Sequence, residues 1–333
     1  MEHRILGRTG RAVSVVGLGC WQLGADWGRV EDAEALGVLH AAVDAGVTFL
    51  DTADVYGDGR SEQLIARFVR ERPDAGVTIA TKCGRRADPH VAASFTPANL
   101  RAWIDRSRSN LGVERLDLVQ LHCPPPAVYA TEAVFDALDA LVEQGALAAY
   151  GVSVETCDEA LAAIARPRVA SIQIILNAFR HKPLEQVLPA ARAAGVGIIA
   201  RVPLASGLLS GRYDESTTFA ADDHRTYNRH GEAFDVGETF SGVPYPVGVA
   251  AARELAEVAA AMDDGRGVST AALALRWVID QPGVSVVIPG ARSAEQARAN
   301  AAAAALPALD AATLAAVRRI YDERIREHVH ERW

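Results

Sequence analysis

Four residues that can carry, hold or orient a proton stand at the ends of successive apolar runs. Asp51 lies near the end of Thr48–Ala53 and Tyr56 follows just beyond it. Lys82 ends Val77–Lys82, and His122 ends Leu116–His122. A phenol, with an unperturbed pKa of about 10, is a poor acid at neutral pH. A nearby ammonium favours its ionised form and is expected to bring that pKa down into range for proton transfer. Lys82 would supply the ammonium, and Asp51 would keep it charged and in place. A neutral His122 would donate to an oxygen held beside the Tyr56 hydroxyl. Two donors on one oxygen stabilise the alkoxide that forms as hydride reaches a carbonyl carbon. Of the 34 Lys and Arg residues, only Lys82 and Lys182 are lysine. Arginine is a wide planar fork, whereas lysine is a compact charge on a slim stem suited to a crowded site. Lys182, in Arg180-His181-Lys182-Pro183, is expected on a solvated turn. Taken singly, each of the four has an ordinary structural reading, as an ion pair, a core histidine or a packed tyrosine. Their joint placement favours chemistry.

Such a constellation needs strands that end on one rim. The apolar runs Val15–Cys20, Thr48–Ala53, Val77–Lys82, Leu116–His122, Ala148–Val154, Ala170–Asn177, Gly197–Pro203 and Val284–Pro289 read as strands covered on both faces. Helical patterns alternate with them. Glu31–Ala45 is stopped by Gly46, Ser61–Arg70 has Ser61 as its cap, and Thr96-Pro97 opens a helix running to Leu111. Thr131–Glu143, Thr156–Ala165, Leu184–Ala194, Ser269–Asp280 and Ser293–Ala303 complete the set. The expected fold is therefore α/β, a (β/α)8 TIM barrel, preceded by an N-terminal β-hairpin within residues 1–14 that closes the barrel floor. Two helices exceed the count, Val249–Met262 and Asp310–Arg326, the latter within a C-terminal helix and tail over 310–333. Residues 205–248 form a long polar loop, which in a compact domain points to function. No linker divides the chain, so one domain over 1–333 is expected. In such barrels the active site lies at the C-terminal ends of the strands.

Composition excludes other classes. The 333 residues are half hydrophobic, with a formal charge of −8. No Lys/Arg run is present to track a nucleic-acid backbone. Met1–Arg11 lacks a signal-peptide core, and no apolar stretch reaches the ~18 residues of a membrane span. Cys20, Cys83, Cys123 and Cys157 lack CxxC spacing and read as reduced thiols of a cytoplasmic protein. His328 and His330 lack further ligands, so no metal site is expected.

The chain resembles the aldo-keto reductases along essentially its whole length. The most specific segment is Phe49-Leu50-Asp51-Thr52-Ala53-Asp54-Val55-Tyr56-Gly57, with Gly59 and Ser61-Glu62 following. Ala80-Thr81-Lys82, Leu121-His122 and Gly151-Val152-Ser153 match further family motifs. The resemblance implies an eight-stranded barrel that reduces carbonyl compounds with NADPH. It carries a catalytic tetrad onto Asp51, Tyr56, Lys82 and His122.

The dinucleotide site follows barrel logic rather than a Rossmann fingerprint, since Gly17-Leu18-Gly19 lacks the third glycine and reads as a tight turn. Phosphate is expected where Ile288-Pro289-Gly290-Ala291-Arg292-Ser293 opens the last barrel helix. Gly290 permits close backbone approach and Arg292 offers a phosphate-seeking fork, while Gln296 and Asn300 fall on one helix face and would reach one ligand. The family implies adenosine-end contacts here, and Arg292 then favours NADPH over NADH. It further implies nicotinamide contacts from Ser153 and Gln173, a pyrophosphate lining from Pro203, Leu204 and Arg212, and a nicotinamide border of Cys20 and Trp21. Arg201 departs from the family, in which many members place Tyr or Trp against the nicotinamide. A guanidinium plane can also stack there, or contact an acidic substrate. Trp21, Trp27 and Tyr129 are candidates for the substrate wall, and Trp333 for reaching the barrel mouth. Two rival readings stand beside reduction: a lyase or aldolase forming a Schiff base through Lys82, and a nicotinamide-binding regulatory module resembling potassium-channel β subunits.

Overall fold

The computed structural model describes residues 1–24, 30–262 and 267–333, so Trp27 lies outside the described residues. Strands β1 (His3–Ile5) and β2 (Ala12–Ser14) form the expected antiparallel hairpin, with His3 opposite Ser14. Eight parallel strands follow: β3 (Leu18–Gly19), β4 (Phe49–Asp51), β5 (Thr78–Cys83), β6 (Leu118–His122), β7 (Tyr150–Ser153), β8 (Val169–Ile175), β9 (Gly197–Arg201) and β10 (Val284–Val287). Their order in the sheet is their order in the chain. The sheet curls until its edges meet: Val16 bridges to Val287 and Gly19 to Gly290, with Gly17 N donating to Val287 O at 2.8 Å. The run Val15–Cys20 makes only isolated bridges at this seam, and just Leu18 and Gly19 pair continuously, with Leu50 and Asp51 of β4, so two of its residues form regular strand.

Helices α1 (Asp32–Asp44), α2 (Arg60–Glu71), α3 (Pro97–Leu111), α4 (Glu132–Glu143), α5 (Cys157–Ile164) and α6 (Val187–Ala194) each follow one strand from β3 to β8. The caps explain several starts. Thr96 accepts from Asn99 N with Pro97 at the first helical position, and Thr156 with Glu159 forms a capping box. Ser61 is not a cap. Gly59 holds that position, and Ser61 sits inside α2, its hydroxyl donating to Cys20 O at 3.0 Å.

Beyond β9, residues 205–248 are not an open loop. They carry short helical turns at Ala205–Ser210, Val236–Glu238 and Phe240–Gly242, and α7 (His224–Tyr227). Helix α8 (Tyr245–Ala261) starts before the expected Val249, since Pro246 is accommodated in its first turn. Helices α9 (Thr270–Ile279) and α10 (Ala294–Ala302) flank β10. The long terminal helix is interrupted. Helix α11 (Ala311–Ile320) passes through a π turn at Tyr321–Ile325 into α12 (Arg326–Val329). There Tyr321 stacks on His181 at 3.9 Å and bonds His330 Nδ1 at 2.7 Å, and a widened turn lets both contacts form.

The lower barrel is packed with side chains. Leu6 and Val13 of the hairpin join Phe49, Ala80, Leu118, Ile199, Val286 and Ile288 in one buried cluster. Arg4 clamps the hairpin by donating to Ile279 O at 2.8 Å and Val284 O at 2.9 Å. Higher in the barrel the interior turns polar, with buried Asp51, Lys82, Gln120, Ser153 and Gln173. Among the described residues, no helix is long and apolar enough to cross a membrane, and all four cysteines are buried and unpaired.

Candidate active site

The barrel brings the four residues together at the C-terminal rim. Asp51 ends β4, Lys82 is the penultimate residue of β5, His122 ends β6, and Tyr56 stands on the turn after β4. Lys82 Nζ donates to Asp51 Oδ1 at 2.6 Å, Thr52 O at 2.9 Å and the Tyr56 hydroxyl at 3.2 Å. An ammonium has three N–H bonds, so all are used. A planar guanidinium would not reach these three acceptors from the same stem. The Tyr56 and His122 rings lie edge to face, 6.0 Å between centroids.

Sequence reasoning missed Gln120. Its Nε2 donates to Asp51 Oδ2 at 3.1 Å, and Gln173 Nε2 donates to the same oxygen at 2.7 Å. Gln120 lies two residues before His122 on one strand, hence on the same face, and that spacing was readable. Gln173, expected to contact a nicotinamide, thus spends its amide nitrogen on Asp51 and on Gln120 Oε1 at 3.1 Å.

Electrostatics correct one expectation. Burial pushes the Tyr56 phenol up to about 12, opposed by Lys82 and reinforced by Asp51 and Glu238. The ammonium does pull the phenol down, but desolvation is the larger effect, so the resting phenol is protonated rather than acidified. Burial would lower Lys82, yet Asp51 and Tyr56 hold it above its usual value. His122 is held well below the usual histidine range, by burial first and then by Lys82, Arg85 and Arg201, so its imidazole is neutral. Its Nδ1 is buried without a hydrogen-bond partner.

Arg201, at the end of β9, is committed. Nη1 pairs with Glu238, and Nη2 donates to Glu155 Oε2 and Val154 O, both at 2.9 Å. Two carboxylates already take up its charge, while its Nε is buried without a hydrogen-bond partner. Glu155, two residues past Ser153, was visible as a strand-end acid. Glu238 was not, because it arrives from the long segment.

Strained backbone gathers on the same rim. Cys123, Val202, Ala205, Ser206, Phe240 and Ser241 all have φ between 47° and 58°. Such conformations persist in non-glycine residues only where the surroundings over-determine them, and they concentrate at functional sites.

The remaining candidates divide. Ser153 is buried beside Cys123, the two side chains 3.7 Å apart, and Cys20 lies buried next to Trp21. Trp21 packs near Tyr56, His224 and Phe234, at centroid distances of 6.2, 5.1 and 5.7 Å. Pro203 is buried, Leu204 half-buried and Arg212 exposed on the turn after β9. At the α10 turn, Gln296 accepts from Arg292 N at 2.8 Å and Asn300 donates to Gly290 O at 3.1 Å. These amides brace the turn rather than both pointing outward, as their shared face had suggested. Tyr129 is buried and joins the hydrophobic core near Cys123 and Glu155. Trp333 does reach the segment above the mouth, donating to Asp235 Oδ1 at 3.0 Å. Lys182 is half-buried on a short turn.

Known proteins resemble the chain along most of its length. The model of the aldo/keto reductase family matches residues 15–322. Aldo-keto reductase YhdN of Bacillus subtilis is 29% identical over 302 residues, covering 90% of this chain and 87% of that protein. Among solved structures, the glycerol dehydrogenase AKR11B4 from Gluconobacter oxydans is 29% identical, with a TM-score of 0.78 and coverage of 98% of this chain and 96% of that one. An aldo-keto reductase from Klebsiella pneumoniae in complex with NADPH shares the fold at 24% identity, a TM-score of 0.71 and 96% coverage of both chains.

Proposed function

The chain belongs to the aldo/keto reductase family, and from that premise we propose that it reduces aldehydes and ketones with NADPH, Tyr56 delivering the proton. The observation that carries this reading is a single buried ammonium, Lys82, bonded at once to Asp51 and to the Tyr56 hydroxyl.

The rim suits an elongated dinucleotide. Gly290 bridges to Gly19, and Gly19 pairs with Asp51. The tetrad and the α10 turn are therefore two strand spacings apart, roughly 10 Å. At Gly290 a Cβ would displace the end of the Gln22 side chain, so glycine leaves the backbone of this turn open to a ligand. The N-terminus of α10 stands at this turn, its Gln296 N–H capped by the Ser293 hydroxyl, where a helix end favours an anion. Gly290 and Arg292 would hold the adenosine phosphate end, with Gln296 and Asn300 shaping the turn. Pro203, Leu204 and Arg212 would line the middle. Ser153, Gln173, Arg201, Cys20 and Trp21 would surround the nicotinamide. When bound, that ring supplies hydride to the carbonyl carbon.

The chain's own residues do the rest. Tyr56, protonated at neutral pH, donates to the carbonyl oxygen. Lys82 stabilises the phenolate left behind, and Asp51, steadied by Gln120 and Gln173, anchors the ammonium. Neutral His122 orients the same oxygen. Alcohol oxidation runs the proton transfer backwards and needs the phenolate, so it is favoured at high pH. An imine-forming role for Lys82 needs an unprotonated amine, whereas its three donors are all engaged and its pKa is raised. Small carbonyl compounds are the substrate class, and four buried free thiols suit a cytoplasmic setting.

A panel of aldehydes and ketones, with NADPH consumption followed in the parent and in Tyr56→Phe, tests the reading. Turnover in the parent that collapses in the variant supports it. Tight nucleotide binding without turnover would favour a binding module. Borohydride trapping of substrate on Lys82 without nucleotide would favour an imine-forming enzyme.

A further inference from the structure

One set of contacts runs from Trp333 to the rim without interruption. The Trp333 ring covers the buried Arg180 guanidinium at 3.6 Å, and its indole nitrogen donates to Asp235 Oδ1 at 3.0 Å. The same oxygen accepts from Gly237 N at 2.7 Å. The ring sits where residues 237 and 242 have no side chains: a Cβ on Gly242 would run into it, and one on Gly237 would lie 3.2 Å from it. Between them, the Glu238 carbonyl accepts from Ser206 Oγ at 2.9 Å, and Ser241 Oγ accepts from Asn177 Nδ2 at 2.7 Å. The Glu238 carboxylate pairs with Arg201, whose other nitrogen reaches Glu155 and Val154.

We propose that Trp333 and Glu238 are positioning residues for the reaction: Trp333 seats residues 235–242 on the barrel, and that segment delivers Glu238 to Arg201, fixing the guanidinium across the rim beside the tetrad. The proposal rests on the reductase reading above. Arg201 ends a strand with a long flexible stem, and only a second carboxylate from outside the barrel holds both arms of its fork. Phe240 and Ser241 have φ of 53° and 58°, a strained path that this seat maintains. The charged and titratable groups around it include Arg180, which lies under the Trp333 ring, faces Asp235, Arg201 and Glu155 and has its pKa lowered by burial to about 9, and His122, which faces Arg201. Tyr56 faces Lys82, Asp51 and Glu238. Glu238 faces Arg201, Glu155, Arg85 and Asp235. Arg201 faces Glu238, Glu155 and Cys123. Withdrawing Glu238 therefore frees one arm of Arg201 and removes a carboxylate from the surroundings of the phenol.

The test uses Trp333→Ala, the near-isosteric Glu238→Gln, their double variant and Trp333→Phe, each checked for folding by circular dichroism. NADPH release is measured by fluorescence, together with carbonyl-reduction kinetics and the pH profile of alcohol oxidation. Both single variants are expected to quicken NADPH release by about tenfold and to move the alkaline limb of the oxidation profile to lower pH. The double variant should be no worse than either single one, since both break one connection. Trp333→Phe, which keeps a ring over Arg180, should recover most of the loss. Parent-like release and pH profile in folded Trp333→Ala or in Glu238→Gln would overturn the proposal, as would losses that multiply in the double variant. Absent turnover in the parent would overturn the reductase reading alone, because NADPH release still reports on the seat.

Discussion

Replacing Tyr56 by Phe removes one oxygen and leaves the scaffold intact. The ring keeps its neighbours Trp21 and His122, at 6.2 and 6.0 Å. Lys82 loses its 3.2 Å contact to the hydroxyl but keeps Asp51 at 2.6 Å and Thr52 O at 2.9 Å. One donor of a buried ammonium is left unmatched, a cost of about 1–3 kcal/mol, partly offset because the buried hydroxyl is gone as well. The fold should therefore survive with a modest fall in Tm. The rate should not. A positioned general acid contributes about a hundred- to ten-thousand-fold, or about 3–5 kcal/mol of barrier at about 1.36 kcal/mol per tenfold. His122 alone would remain to assist the oxygen. Steady-state NADPH consumption should fall by that factor, while fluorescence titration should find NADPH affinity within about twofold of the parent, because the lost group acts on the carbonyl oxygen. With the phenol at about 12, the parent should also reduce carbonyls without losing its proton donor across neutral pH, the donor form disappearing only as pH rises towards that value. Turnover in Tyr56→Phe within about tenfold of the parent, with nucleotide binding intact, would refute the assignment of the proton donor.

Three further outcomes are expected. Arg292→Ala should weaken NADPH by about 10–100-fold, the worth of one charge-assisted bond, and leave NADH nearly unchanged; equal losses for both nucleotides in a fluorescence titration would count against a 2′-phosphate contact. Asp54 is fully buried with the Arg86 guanidinium 3.7 Å from Oδ2, and burial, reinforced by Glu62 and only partly opposed by Arg86 and Arg106, raises its pKa from 3.8 to about 7. The fold then holds a proton that the unfolded chain has released, so stability falls as pH rises from 3.8 to about 7. Asp54→Asn should stabilise the fold at pH values above that window and not below it, by up to roughly 4 kcal/mol, with a matching rise in Tm; a gain independent of pH in scanning calorimetry would refute this. Leu6→Ala opens the packed floor and should destabilise by about 2–5 kcal/mol in urea unfolding, with NADPH-dependent turnover of the folded enzyme unchanged; a selective loss of activity would show that the hairpin reaches the site.

Much of the barrel was legible because its signals are local. Apolar runs of strand length, helical spacing between them, and caps such as Thr96-Pro97 and Thr156 with Glu159 each involve residues a few positions apart, and the backbone obeys them wherever the chain is. The rule that barrel chemistry gathers at strand C-termini then placed Asp51, Tyr56, Lys82 and His122 on one rim. Gln120 belonged to the same reading by its spacing from His122. What residue type and spacing do not carry is the balance among neighbours. Whether Lys82 or desolvation dominates the Tyr56 phenol depends on how much water the closed rim excludes. Whether Gln173, Gln296 and Asn300 face a ligand or brace the protein depends on which partner comes nearest. The π turn at Tyr321 and the buried course of residues 235–242 likewise answer to side chains far off in sequence.

By itself, then, the order of residues determined the strands, most of the helices, the barrel and the identity of the four rim groups, since short-range periodicity and steric preference suffice for these. Only the folded chain decided that Arg201 is held between Glu155 and Glu238, that Asp54 is fully buried with Arg86 no closer than 3.7 Å, and that Trp333 packs on Asp235 and Arg180. Charge pairing and desolvation act through space, between groups whose separation along the chain says nothing of their distance once the barrel has closed.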